Sequence, residues 1–526
     1  MNKATLFRNK ATEIIRESIK SVVYIDEKAW NPFEGAKYNS SINEHIISKK
    51  LYKNLKQKGI NLNIHKFQPG EEELPIDNPL KKYLFNDIDL VLLDWDLDDN
   101  ELNTTALKLL NDIVVQPHIH FCCVYSATPT FDDIIKKISS YFSGYSNEQY
   151  EEIRAIFEDN DEIINLLNPI DITSMPDGRI AGNIMRIDRT IFERVTKITQ
   201  LNNAQSLIPM AISINNNLPK SDKSLNYPFE IISEVDSEFT LIINNTVISI
   251  LSKRKNKPEN FITNFSNHVA KDKSRSFFKL LGLDMQNQFS RYGAFINPEI
   301  LNISFNTFMH HRQQIGLSGV KPSFDDFIKD LFLENSKLNL VSADLKLLKN
   351  NFLNEFKVVK KELTDKELAL INCFYNGVKL DGLRPINFGD IFFDDFSKSY
   401  YLCITPLCDC VIRNGSSNTN FKYYFVKGSK INVSEGLKKG DGGFISYISE
   451  KECISWAPGE YVKPFQFHIP NPIIENDQIN IFDWIEEYHL TAPLNYVFTL
   501  KQNYTQRIAN HAFAHPVRVG VDFVKK

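Results

Sequence analysis

Apolar residues recur at helical spacing from Ala4 to Lys20 and then give way to a short run, Val22-Val23-Tyr24-Ile25, that ends in Asp26-Glu27. The first pattern predicts a helix and the second a buried strand. After a Pro/Gly/Asn-rich stretch from Asn31 to Ser41, helical spacing returns over Ile42 to Lys58, Gly59 stops it, and Ile60 to Phe67 alternates with period two, a helix and a second strand. Asp87 to Asp94 holds a third apolar run followed by carboxylates, Leu102 to Val114 is helical, His118 to Tyr125 is a fourth apolar strand, and Phe131 to Phe142 is an amphipathic helix. Strand and helix in alternation predict an α/β domain with a doubly wound parallel sheet.

Further along, the pattern changes. Glu148 to Leu167 and Gly182 to Leu201 read as charged helices, and the Asn-, Ser-, Lys- and Pro-rich stretch from Asn202 to Pro228 reads as a linker. Phe229 to Ile250 predicts strands with a turn at Asn244-Asn245, Ile262 to Gly293 is mostly helical, and Leu338 to Lys361 has the spacing of one long amphipathic helix. From Leu368 onward short strands alternate with glycines, as in a small barrel or bent sheet. The predicted division is therefore an α/β domain over 1–200, a mixed, largely helical middle over 201–367, and a β-rich C-terminal domain over 368–526 that ends in a helix.

The chain has 526 residues, 42% of them hydrophobic and 24% charged, an ordinary globular composition for several domains. A net charge of −4 excludes a chain built throughout to coat nucleic acid. The basic stretches Lys253-Arg254-Lys255 and Lys271, Lys273, Arg275 leave room for local contact with phosphate, but a solvated face is their ordinary role. Seven cysteines, two of them adjacent at Cys122-Cys123, argue against a disulfide framework and for a reducing, cytoplasmic setting. The first thirty or so residues carry charges throughout, and no run reaches the length of a bilayer span, so neither a signal peptide nor a membrane partner is expected.

The chemistry concentrates in the first domain. Residues just past the carboxyl ends of parallel strands converge on one edge, so Asp26, Glu27, Asp94 and Ser126 are expected in one crevice. Clustered carboxylates raise each other's pKa unless a cation sits among them, and hard oxygen ligands suit Mg²⁺. At these residues the chain resembles the receiver domain of bacterial response regulators, a flavodoxin-like fold: Val22 to Glu27 is similar to its first strand and acidic pair, Asp89 to Asp94 to its third strand and phospho-accepting aspartate, and Cys123 to Ala127 to its fourth strand and hydroxyl residue. The resemblance covers the N-terminal third. It implies Asp94 as phospho-acceptor, Asp26, Glu27 and Asp94 as Mg²⁺ ligands, and Ser126 against the phosphoryl oxygens. The family's lysine after a fifth strand has no clear match; Asn168-Pro169, after Ile163 to Leu167, is the nearest analogue and brings no positive charge. Divergent receivers of this kind occur in bacterial conflict and phage-defence loci beside histidine-kinase-like ATPases, which implies a regulatory protein acting by docking to such a partner rather than an enzyme.

Other readings stay open. Asp26, Glu27, Asp94, Asp96, Asp98 and Asp99 are also what solvated strand-end acids look like. Asp94-Trp95-Asp96 resembles the Asp-x-Asp motif of haloacid-dehalogenase-type phosphatases, with Ser126 as their second motif. Cys403, Cys408, Cys410, Cys453 and His468 are spaced poorly for zinc and read as free cysteines of a β core. Pro385 to Phe393 with Tyr400 to Asp409 resembles the small SH3-like barrels of toxin-type ribonucleases. Arg507, His511 and His515, with Arg518, lie at near-helical spacing and make the C-terminal segment a candidate effector nuclease switched by the N-terminal domain.

Overall fold

A computed structural model describes residues 3–517 apart from 34, 36, 99, 117–119, 128–130, 236–237, 271–272, 293–301, 316–323, 357–362, 411, 414–415, 418, 441–443, 457–463 and 482–492. The chain divides into two compact units, Met1–Arg291 with Ala343–Phe356, and Tyr292–Ser342 with Lys357–Lys526.

In the first unit, α1 (Lys3–Ser18) leads into β1 (Ser21–Asp26), α2 (Asn43–Gln57), β2 (Asn61–Lys66), α3 (Pro79–Phe85), β3 (Leu90–Leu93), α4 (Thr104–Val114), β4 (His120–Ser126) and α5 (Phe131–Tyr141). Five helices follow, α6 (Asn147–Ala155), α7 (Asp161–Leu167), α8 (Gly178–Ile187), α9 (Thr190–Thr199) and α10 (Leu207–Ile214). The chain then returns to the sheet as β5 (Phe229–Val235), β6 (Glu238–Ile243) and β7 (Thr246–Ser252), and continues into α11 (Phe261–Val269) and α12 (Lys273–Tyr292). The seven strands lie in the order β2-β1-β3-β4-β7-β6-β5. The first five in that order are parallel, and β6 and β5 add an antiparallel hairpin at the edge.

Continuous apolar runs are what a parallel sheet covered on both faces requires. Val22 and Tyr24 face one layer with Phe7, Ile14, Leu51, Leu55, Phe261 and Phe265 of α1, α2 and α11. Val23 and Ile25 face the other, with Leu84, Leu107, Leu110, Ile134 and Ile138 of α3, α4 and α5. The doubly wound fold expected from the strand–helix alternation is the fold observed.

The division drawn at residue 200 cuts through this sheet, because β7, its fifth parallel strand, lies beyond it. The stretch 202–228 is not a linker. Its run Leu207-Ile208-Pro209-Met210 forms α10, which buries Leu207, Met210 and Ile212 against Tyr150, Ile153, Phe192 and Val195 in a separate helical core; the polar residues around it hid the apolar face. Nor is 338–361 one helix. A helix ends at Asn339, two 3₁₀ turns and the short helix Asn350–Leu353 follow, Leu347 and Phe352 drop into the first unit's core, and 357–361 lies outside the described residues.

The second unit carries a nine-stranded sheet ordered Ile445–Tyr447, Cys453–Ser455, Lys422–Ile431, Ser399–Cys403, Asp390–Asp394, Leu494–Leu500, Gln478–Ile479, with Pro464–His468 and Gly377–Val378 added along its edges. Gly428 lets the long central strand pass Trp456, whose ring would lie 2.5 Å from any Cβ there. The closing helix Gln502–Val517 buries Ile508, Ala509 and Ala512 on this sheet. The β-rich C-terminal region ending in a helix is thus as expected. All seven cysteines are free, and no described helix is long and apolar enough to cross a membrane.

Since β7 pairs with β4 along its whole length and completes both apolar layers, a chain ended at residue 200 should lose cooperative folding. Thermal melting followed by circular dichroism should show a sharp transition for the full chain and none for the truncated one; a cooperative melt of 1–200 would contradict the assignment of β7 to the core.

Candidate functional site

Four strand ends build one corner. β1 ends at Asp26, β3 ends one residue before Asp94, β4 ends at Ser126, and β7 ends at Ser252, one residue before Lys253. The ladder sets their level: the Asp94 N–H donates to the Ile25 carbonyl (3.0 Å) and the Lys253 N–H to the Ser126 carbonyl (2.8 Å). Asp26 and Ser126 are fully buried, and Asp94 is nearly so.

The Lys253 ammonium, only 4% exposed, donates to Asp26 Oδ2 at 2.9 Å and Asp94 Oδ2 at 2.7 Å. The remaining carboxylate oxygens are held by other donors, the Lys28 N–H to Asp26 Oδ1 (2.7 Å) and the Trp95 N–H to Asp94 Oδ1 (2.9 Å), while the Tyr24 hydroxyl donates to Asp26 Oδ2 (2.5 Å). Glu27 Oε1 pairs with the Lys28 ammonium at 2.6 Å, whereas Glu27 Oε2 is buried with no hydrogen-bond partner. One oxygen from each of Asp26, Glu27 and Asp94 lies within 4.8 Å of the others.

Burial acts against every charge here. It opposes the Asp26 carboxylate most, yet Lys253, the Tyr24 hydroxyl and the Lys28 N–H together hold that group below its ordinary pKa. Burial wins at Asp94, where the pull of Lys253 is outweighed and the Asp26 charge adds to the upward shift. Lys253, disfavoured by burial, is raised by the two aspartates. Lys253 serves the two aspartates and Lys28 the third carboxylate, Glu27, so three carboxylates face two ammonium groups.

The loop after Asp94 is tied to α5. Lys137 donates to the Glu101 carbonyl (2.7 Å) and Asn103 Oδ1 (3.0 Å), and Asn103 donates to the Trp95 carbonyl (3.2 Å).

The four residues expected to converge do so, and the expectation that no lysine joins them is corrected. Asn168, the nearest sequence analogue, caps helix α7 in the inserted bundle and follows no strand. The lysine is Lys253, read from sequence as part of a solvated basic stretch; its neighbours Arg254 and Lys255 are exposed while it points inward. The missed signal is a seven-residue, wholly buried run, Thr246–Ser252, ending directly in a basic residue. Of the remaining acids, Asp96 is exposed, Asp98 accepts the Thr105 hydroxyl, and Asp99 lies outside the described residues.

Of the C-terminal candidates, Arg507 and His511 meet at one aromatic ring. Arg507 lies over the Phe444 ring at 5.1 Å and His511 stacks on the same ring at 4.5 Å; the side chain of His515 and the whole of Arg518 lie outside the described residues. Cys403 and Cys410 are buried, with the Cys410 thiol donating to the Thr405 carbonyl (3.4 Å), Cys453 donates to the Ile431 carbonyl (3.4 Å), and Cys408 is exposed.

The family model for the response receiver domain matches residues 18–171. No curated protein and no solved structure matches the chain. The N-terminal third is therefore a receiver domain, and the match ends before β7 and Lys253.

Asp94→Asn removes one buried charge and leaves Lys253 with a single aspartate partner. A pKa raised on folding means that stability is greatest where Asp94 is protonated and falls as pH climbs above the ordinary carboxylate range. In metal-free buffer the variant should melt a few degrees higher than the native chain at neutral pH, and the gap should close as pH falls toward the usual aspartate pKa. Equal melting points across that range would remove the charge-crowding account.

Proposed function

We propose that this receiver domain makes the protein a phosphorylation-controlled docking switch of a bacterial signalling or phage-defence system, cytoplasmic, with a histidine-kinase-like ATPase as partner. The carrying observation is the Lys253 ammonium set between Asp26 and Asp94, which supports a working pocket and not an eroded one. In this reading Asp94 attacks the phosphorus of a partner phosphohistidine; the P–N bond breaks, its electron pair leaves with the imidazole, and an acyl-phosphate O–P bond forms. Lys253 then balances the charge of the phosphoryl oxygens, and the Ser126 hydroxyl, at the end of the neighbouring strand, meets one of them.

Asp26, Glu27 and Asp94 would hold Mg²⁺, a reading supported by their hard oxygen donors and by the orphaned Glu27 Oε2. The ion would supply charge neutralisation for the incoming phosphoryl group. The route outward is α5: Lys137 holds the loop after Asp94, and farther along the same helix Ser140 donates to the Pro219 carbonyl (2.9 Å) where the two ends of the inserted bundle meet. A shift of that loop would be felt by α5 and by the bundle, which we read as a docking surface for the partner protein.

The test is labelling with acetyl phosphate. Expected is Mg²⁺-dependent incorporation that hydroxylamine removes, that is absent in Asp94→Ala, and that falls by at least about tenfold in Lys253→Met as a charge-assisted contact is lost. Label retained in Asp94→Ala, or none in the native chain, would leave the domain as a fixed platform.

A further inference from the structure

We propose that a groove at the opposite edge of the first unit binds a small phosphate-bearing molecule of about mononucleotide size. The groove has a volume of about 560 Å³ and is lined by Asn9, Thr12 and Arg16 of α1, Lys58 after α2, and Asn267 of α11. It opens beside Ile60, which precedes β2, and so lies at the amino ends of the strands, away from Asp94.

Charge is the first argument. The two acids in the lining are already paired: Glu13 with Lys10 (2.8 Å) and Lys346 (3.0 Å), and Glu17 with Arg291 (3.1 Å) and Lys346. Behind them Asp284 accepts the Lys346 N–H at 2.6 Å, and burial pushes its carboxyl upward toward the neutral form. Arg16 and Lys58 are added to this balance with no acidic partner among the described residues. Burial, and then the Arg16 charge, hold the half-buried Lys58 ammonium below its ordinary pKa. Lys58, beside the exposed Arg16 guanidinium and with the groove's two acids paired elsewhere, is disfavoured as a cation, and an anion between the two would relieve that penalty.

Size and lining give the second. The volume falls inside the roughly 300–1,000 Å³ typical of small-molecule sites and is far larger than a bare oxyanion needs. An arginine fork and a lysine point charge suit a phosphate group. Around them, Asn9, Thr12, Thr263 and Asn267 offer amide and hydroxyl groups for a polar remainder, and Thr12 and Asn267 already hydrogen-bond each other across the groove (3.3 Å).

Calorimetry on the full chain in EDTA, with AMP and inorganic phosphate as probes, tests this apart from the aspartate pocket. Expected is saturable binding of AMP at one site per chain, tighter than inorganic phosphate, weakened at least about tenfold by Arg16→Ala and by Lys58→Met, and unchanged in Asp94→Ala. Lys58→Met keeps the apolar stem, and melting curves matching the native chain establish that each variant is folded. No saturable AMP binding, affinity unmoved by either substitution, or phosphate binding as tightly as AMP would overturn the proposal.

Discussion

Lys253 brings one positive charge into a corner holding three carboxylates, and the first unit is arranged to keep it there. An ammonium only 4% exposed carries a desolvation cost that charge-assisted contacts at 2.9 and 2.7 Å must offset. Those contacts exist because β7 lies beside β4, and β4 beside β3, so that a residue leaving β7 reaches Asp94 and Asp26 across the carboxyl edge. Removing any one of these strands would strand a buried charge. Lys253 meets only the two aspartates; Lys28 pairs with Glu27 Oε1, and the unpartnered Glu27 Oε2 is the feature on which the proposed Mg²⁺ site rests.

Asp26, Asp94 and Ser126 were legible because each closes an apolar run that maps directly onto a strand, and the switch-point rule places such residues together whatever their separation in sequence. Lys253 closes an equally apolar run but could not be placed. Sequence pattern identifies a strand without naming its neighbour. β7 returns to the sheet after a helical bundle and as the third strand of a meander whose first two members run along the far edge, so its adjacency to β4 is set by packing over a long chain separation.

The same limit explains the misread segments. Polar residues around Leu207–Ile214 resemble a linker until the bundle supplies an apolar partner for its face. In 338–356, helical spacing is real, but Asn339 and Ser342 break it and the core takes Leu347 and Phe352 individually from turns. In the C-terminal sheet the strand-and-glycine rhythm sufficed for the class of fold, whereas Arg507 and His511, in register for a catalytic helix face, turn out to share the Phe444 ring.

An insertion between the fourth strand and the pocket lysine would be expected to disturb the site, and the geometry explains why it need not. The two ends of the bundle meet beside α5: the Asn147 N–H donates to the Ser221 carbonyl at 2.7 Å, Ser146 bridges Ser221, and Ser140 reaches the Pro219 carbonyl. With its two ends pinned together, the intervening length adds only the slowly growing entropy of a longer loop, and its own core offsets the ordering of its helices. The bundle leads into β5 at the far edge, and the β5-β6-β7 meander carries the chain back to β4. β7 can therefore keep its register on β4 and deliver Lys253 to the aspartates, while the pinned junction at the end of α5 is where movement near Asp94 would enter the bundle.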